Sequence, residues 1–84
     1  RLLICGEFKA MYHFANYFKK VFSKIVKGTK DVLGPVYLPK YSGVQLIIKH
    51  EDYDNVIRVV RSVSEKFKDQ QLNIIFEQYP NSFS

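Results

Sequence analysis

Apolar residues recur with two different spacings along the chain, and the changes of spacing mark its elements. Residues 2–8 are apolar at first and then alternate with polar residues, which predicts a strand. Residues 44–49 and 72–77 each place three apolar residues on one face, so each predicts another strand. Asp31-Val32-Leu33 predicts a shorter strand that Gly34-Pro35 bends or ends, and residues 36–43 predict a turn-rich connection.

Two longer segments have helical spacing instead. From about residue 10 to residue 27 the apolar residues form one stripe at about 100° per residue, and Gly28 follows as a helix stop. The acidic residues Glu51, Asp52 and Asp54 mark the start of a second helix, because negative charge is favoured there. The predicted buried stripes are Met11, Phe14, Phe18, Val21, Phe22 and Ile25 in the first helix and Tyr53, Val56, Val60, Val63 and Phe67 in the second.

The predicted order of elements is βαββαβ, in a single domain that covers residues 1–84. Two helices on one face of a four-stranded antiparallel sheet make the ferredoxin-like sandwich of the α+β class. Each predicted helix has one apolar stripe and each predicted strand has one apolar face, so the local patterns agree with a two-layer fold.

The net charge of +5 is unevenly distributed. Residues 1–49 contain nine lysines and arginines against two acidic residues, whereas residues 50–84 contain four against six. A protein with one basic side suits a polyanion such as nucleic acid, or an acidic peptide. A lysine-rich protein without any anionic partner has the same composition, so charge alone leaves both interpretations open.

Few residues are suited to catalysis or to metal binding. Cys5 is the only cysteine, which predicts a buried thiol in a reduced compartment, and the isolated His13 and His50 predict no metal-ligand set. The chain has no phosphate-cradling glycine loop and no nucleophile elbow. No apolar run approaches the roughly 18 residues of a membrane span. We therefore expect a cytoplasmic domain with no catalytic activity, no cofactor of its own and no membrane contact.

Three segments in a fixed order resemble one protein family. Val32-Leu33-Gly34-Pro35, with Pro39 close behind, resembles the LGP…P segment in the C-terminal domain of the PriA family, the primosomal N′ helicases of replication restart. Residues 45–49 (QLIIK) resemble the strand that follows that segment, and residues 71–80 (QLNIIFEQYP) resemble the closing strand. The chain departs from the family at residues 42–44, where Ser-Gly-Val stands in place of tyrosine, arginine and an aromatic residue.

The resemblance implies a role in DNA replication. PriA helicases recognise stalled or repaired forks, unwind DNA in the 3′-to-5′ direction with ATP and reload the replicative helicase. Their ATP-binding motor and zinc-binding regions precede the C-terminal domain, which resembles ribosomal protein S ten in fold. That domain contributes to binding structured DNA and packs against the helicase core. The implied partners are forked or single-stranded DNA, single-stranded DNA-binding protein, other primosome proteins and the parent's own helicase core.

The first predicted helix carries the main candidate surface for nucleic acid. Its lysines lie along one side, away from the apolar stripe, where they would follow a phosphate backbone, and Tyr17 beside them would stack on an unpaired base. The loop after the helix and the connection between the middle strands add further candidates. The full set is Tyr17, Lys19, Lys20, Lys24, Lys27, Lys30, Lys40 and Tyr41. A solvated helix face is the alternative interpretation.

The second predicted helix carries a candidate partner-binding surface. Arg58 and Arg61 project from it and would capture an acidic peptide tail. The alternative is ordinary ion pairing, because Asp54 lies four residues before Arg58 and Glu65 lies four residues after Arg61.

Other functions fit parts of the same pattern. A purely structural domain would bind only the helicase core of its parent. A small-molecule-sensing domain would need a polar loop site, which the sequence does not show. A free-standing ribosomal protein that binds RNA fits the positive net charge, but it does not explain the three segments that resemble PriA.

Overall fold

The computed structural model describes residues 1–25, 32–49 and 52–77. These residues form β1 (Leu2–Cys5), α1 (Phe8–Ile25), β2 (Val32–Leu38), β3 (Gly43–Ile48), α2 (Tyr53–Lys66) and β4 (Asn73–Phe76). Short 3₁₀ turns at Pro39–Tyr41 and Lys68–Gln70 follow β2 and α2.

The four strands form one antiparallel sheet in the order β2-β3-β1-β4. Ile4 of β1 is paired with Val44 of β3 on one side and with Ile74 of β4 on the other. All three side chains belong to the apolar cluster on the face that both helices cover. The chain order and this strand order are those of the ferredoxin-like sandwich, so the predicted fold class is confirmed.

The core between the two layers is built on the aromatic stripe of α1. Phe14, Phe18 and Phe22 are fully buried, and Val59 and Val63 of α2 close over them. Burying a phenylalanine side chain contributes about 1.5–3 kcal/mol to stability, so these rings dominate the packing free energy. The buried residues of the described chain include no polar or charged side chain.

Helix α1 begins two residues earlier than predicted, because Glu7 caps it. The Glu7 carboxylate accepts hydrogen bonds from the backbone N–H groups of Lys9 (2.9 Å) and Ala10 (3.3 Å). The first N–H groups of a helix have no intrahelical partner, so this capping stabilises the start of α1 at Phe8. The predicted strand of residues 2–8 therefore ends at Cys5.

Strand β2 continues through the segment predicted to be a turn-rich connection. Leu33 is paired with Ile47 and Val36 with Gln45, so two residues of β2 stand opposite one residue of β3 and form a bulge. Gly34 has a φ of +109°, and a Cβ there would lie 2.6 Å from the Gln45 carbonyl oxygen. Glycine is therefore required in the bulge, and the strand resumes after it instead of ending.

The buried stripes also differ from prediction. Val59 is fully buried, whereas Val60 and Tyr53 are only half-buried at the side of α2, and Val21 of α1 is half-buried as well. Ile25, the last residue of α1, is exposed. Of the helices in the described part of the chain, neither combines the length and apolar character needed to cross a membrane.

Cys5 is half-buried, which corrects the prediction of a buried thiol. Its Sγ donates a hydrogen bond to the Tyr41 carbonyl oxygen at 3.6 Å. Cys5 lies on the sheet face opposite the helices, because Leu2 and Ile4 point toward the core and side chains alternate along a strand.

Replacing Val59 with alanine tests the observed rotation of α2 about its axis, which buries Val59 more deeply than Val60. We expect Val59→Ala to lower the free energy of unfolding by about 2 kcal/mol, because two buried methyl groups are removed from a closed site. Val60→Ala is the matched control, since it removes the same atoms from the same helix and gains the same helix propensity. It should cost about 1 kcal/mol or less. Urea unfolding of both variants measures the difference. Equal losses of unfolding free energy would contradict this rotation of α2.

Candidate nucleic-acid interface

The outer face of α1 carries two exposed lysines with no acidic partner. Lys20 and Lys24 point away from the sheet, because Phe14, Phe18 and Phe22 of the same helix point toward it. Helix α1 contains no aspartate or glutamate. Among the residues that the structure describes, no carboxylate lies within ion-pairing distance of Lys20 or Lys24. Their charges are therefore available to an external anion.

Lys19, which was predicted to contact nucleic acid, makes a hydrogen bond within the fold, and the predicted contact stays a prediction. Its Nζ donates a hydrogen bond to the Gly34 carbonyl oxygen at 2.6 Å, and the residue is only half-exposed. The bond ties α1 to the bulge of β2, where the ladder of the sheet leaves a carbonyl group unpaired by β3. Lys19 is next to Lys20 in sequence, but successive helix residues are turned by about 100°, so Lys19 points to the sheet edge while Lys20 points outward.

Tyr17, the predicted stacking residue, faces α2. Its ring lies 5.8 Å from the ring of Phe67, and the Nζ of Lys66 lies 5.0 Å from its centroid. The ring is half-buried, with an aromatic neighbour and a covering ammonium group. The helix thus directs the Tyr17 ring toward the second helix, and base stacking by Tyr17 stays a prediction.

The predicted pair Lys40 and Tyr41 lies apart from the lysines of α1. The Arg1 guanidinium is 5.4 Å from the Tyr41 ring centroid and also donates to Gln45. The Gln45 side chain is on the sheet face opposite the helices, which we call the uncovered face because neither α1 nor α2 packs on it. Lys40 lies near the same ring, with its Nζ 6.0 Å from the centroid. The sheet therefore separates this pair from Lys20 and Lys24. Lys27 and Lys30 lie outside the described residues.

Arg58 and Arg61 are exposed on the outer face of α2. The i,i+4 ion pairs predicted for them do not form, and Glu65 instead contacts Lys68 at 3.2 Å. The His13 and Tyr17 rings in the first half of α1 contact Phe67 at the end of α2, so the two helices are antiparallel. The first half of α2, with Arg58, therefore lies beside the second half of α1. We call Lys20, Lys24, Arg58 and Arg61 the cationic helix face.

Three aromatic residues at the start of this surface were missed by the sequence interpretation. Phe8 and Tyr37 are exposed and in ring contact, and Tyr12 adjoins Phe8. The sequence pattern predicts a strand at Phe8 and a connection at Tyr37, and neither prediction indicates an aromatic surface. The signal that could have found them is a series at four-residue spacing, from Phe8 through Tyr12, Asn16 and Lys20 to Lys24.

The described residues include no group of three or more His, Cys, Asp or Glu side chains placed to hold a metal ion. Comparison with protein-family models, with curated proteins and with solved structures found no match for this chain. Functional inference therefore depends on the surface itself and on the resemblance of its segments to PriA.

Replacing the two neighbouring lysines of α1 separates their roles. We expect Lys19→Met to lower the free energy of unfolding by about 1–2 kcal/mol, because it removes a charged donor from the Gly34 carbonyl group. Lys20→Met removes the same charge from an exposed site and should change stability by less than about 0.5 kcal/mol. Chemical unfolding of both variants makes the comparison, and an equally mild effect at Lys19 would show that the contact carries no stability.

Proposed function

We propose that this chain is a non-catalytic accessory domain that binds nucleic acid and protein partners in the cytoplasm, as part of a PriA-type replication-restart helicase. The observation that carries the proposal is the cationic helix face, whose two lysines have no acidic partner within the described chain. In the proposed parent, ATP and zinc belong to upstream regions. The parent's helicase core and the single-stranded DNA-binding protein are the expected protein partners.

The chemistry of this face suits backbone contact more than base reading. Lysine presents a compact ammonium charge on a flexible stem, which attracts phosphate without selecting a base. A contact of this kind releases counterions from the nucleic acid, so its affinity falls steeply with salt. With about four phosphates neutralised, log Kd should change with log salt concentration with a slope of magnitude about 3 to 4. Forked and single-stranded DNA both present such a backbone.

Charge removal on α1 tests the proposal. We expect Lys20→Gln/Lys24→Gln to weaken binding of a fork-shaped DNA and to reduce the magnitude of the salt slope by about 1.5, because two phosphate contacts are lost. Lys40→Gln/Lys68→Gln is the charge-matched control. Lys40 lies beyond the sheet and Lys68 contacts Glu65, so this variant should keep most of the affinity. Fluorescence anisotropy over a series of salt concentrations measures both quantities.

Three results would count against the proposal in different ways. Absence of salt-dependent binding at low ionic strength would reject a direct role in DNA binding. A larger loss from the control variant would move the interface away from α1. Stronger binding to structured RNA than to forked DNA would favour the free-standing ribosomal alternative. Parentage is tested separately by the coding sequence upstream of Arg1, where a zinc-binding segment and helicase motifs are expected.

An interaction domain is the second candidate function, and the uncovered face of the sheet favours it. Leu33 and Val36 of β2 and Ile75 of β4 are exposed apolar residues on this face, with Val36 54% exposed. These residues lie on the two edge strands, and Gln45 and Leu3 stand between Val36 and Ile75 in the sheet. Exposed apolar residues on one sheet face are a feature of surfaces that contact another protein. In the proposed parent the occupant is the helicase core, against which the resembling domain packs.

A charge on the uncovered sheet face tests this second function. We expect Val36→Glu to weaken binding of the chain to a PriA-type helicase core that lacks its own C-terminal domain by at least about tenfold, because an unpaired carboxylate would be buried. The control is Ser62→Glu, which adds the same charge on the exposed face of α2. Calorimetric titration compares the variants, and equal affinities would exclude this face from the contact.

A further inference from the structure

A cluster of three aromatic rings lies at the N-terminal end of α1. The Phe8 ring is 5.1 Å from that of Tyr12, one turn along the helix, and 5.8 Å from that of Tyr37 in β2. Tyr37 reaches α1 because it is paired with Val44, which faces the helices. We call Phe8, Tyr12 and Tyr37 the aromatic cluster.

The cluster leaves aromatic surface open to solvent. Phe8 is 56% exposed and Tyr37 is 38% exposed. The Phe8 ring is tilted by 56° against Tyr12 and by 64° against Tyr37, so neither neighbour stacks in parallel on it. Full burial of a phenylalanine would contribute about 1.5–3 kcal/mol, and more than half of the Phe8 surface is left outside the fold. Capping by Glu7 explains why a helix starts here, but it does not require an aromatic residue.

The aromatic cluster is continuous with the cationic helix face. Phe8, Tyr12, Asn16, Lys20 and Lys24 follow one another at four-residue spacing, so they form a ridge about 24 Å long that turns about 40° around α1 at each step. Tyr12 is half-buried and the other four are exposed. The one carboxylate adjacent to Phe8 in sequence is Glu7, whose oxygens accept from the helix backbone. The ridge thus joins exposed rings at one end to unpaired lysines at the other.

We infer that the aromatic cluster stacks on an unpaired base of a single-stranded nucleic acid whose phosphates follow the ridge toward Lys20 and Lys24. Stacking on aromatic rings combined with cationic backbone contact is the usual physical basis of single-strand binding. The bases of a duplex are stacked on one another and do not reach a ring of this kind, so the cluster selects unpaired strands. The inference rests on the proposed function, because it assumes that the lysines contact phosphate.

Two oligonucleotides of equal charge separate stacking from phosphate contact. The first is an oligothymidylate of about ten nucleotides, within the site sizes of single-strand-binding folds. The second has the same length and backbone but lacks bases. We expect the chain to bind the first about 5- to 160-fold more tightly, as one stacked base contributes about 1–3 kcal/mol. An oligouridylate of the same length distinguishes RNA from DNA as the source of the base.

Substitutions then assign the preference to the aromatic cluster. Phe8→Leu should abolish the preference for the oligonucleotide with bases and leave affinity for the abasic strand unchanged, whereas Phe8→Tyr should retain the preference. Tyr53→Leu is the matched control, because Tyr53 opens α2 as Phe8 opens α1 but already stacks on Phe76 at 5.4 Å. It should leave the preference intact. Circular dichroism checks that each variant is folded.

The outcomes distinguish the inference from the function on which it rests. Equal binding of the two oligonucleotides, or a preference that persists in Phe8→Leu, would overturn base stacking while leaving lysine-dependent phosphate binding in place. Binding of neither oligonucleotide at low salt would overturn the proposed function and the stacking inference together. Loss of the preference in Phe8→Leu, with affinity for the abasic strand unchanged, would support both.

Discussion

The packing of the α1 phenylalanines against the sheet determines what the rest of the molecule presents to solvent. Phe14, Phe18 and Phe22 are fully buried, so α1 cannot rotate without exposing aromatic surface. Because the rotation is fixed, every other side chain of the helix has one direction. Lys19 points toward β2 and Tyr17 toward α2, whereas Lys20 and Lys24 point outward. The cationic helix face is thus a consequence of the core.

Two polar contacts fix the ends of this arrangement where apolar packing does not reach. Glu7 caps α1 through the backbone N–H groups of Lys9 and Ala10, which sets the first turn and brings Phe8 beside Tyr37. Lys19 joins the middle of α1 to the β2 bulge through the Gly34 carbonyl group. The bulge shifts the register by one residue, and this shift places Tyr37, instead of a neighbour, on the helix side of the sheet. The aromatic cluster therefore depends on the Glu7 cap and on the bulge.

The fold class was predictable from the sequence because apolar periodicity reports directly on which face of an element is buried. The strand Gly43–Ile48 and most of both helices were recovered in this way. The continuation of β2 was not, because Gly34-Pro35 normally ends a strand and a bulge is decided by pairing with β3. The contacts of Lys19 and Tyr17 within the fold were not predictable for a related reason. Residues at the side of a stripe are directed by whichever neighbouring element lies there, and periodicity contains no information about that neighbour.

The two-layer architecture also bears on how the two proposed functions relate. The cationic helix face lies outside the helices, whereas Leu33, Val36 and Ile75 lie on the far side of the sheet. A partner bound to the uncovered sheet face therefore does not cover Lys20 or Lys24. If both proposals hold, the domain can pack on a helicase core through its sheet while its helices contact DNA. DNA binding and docking would then be independent, and a charge change on α1 would alter the first without the second.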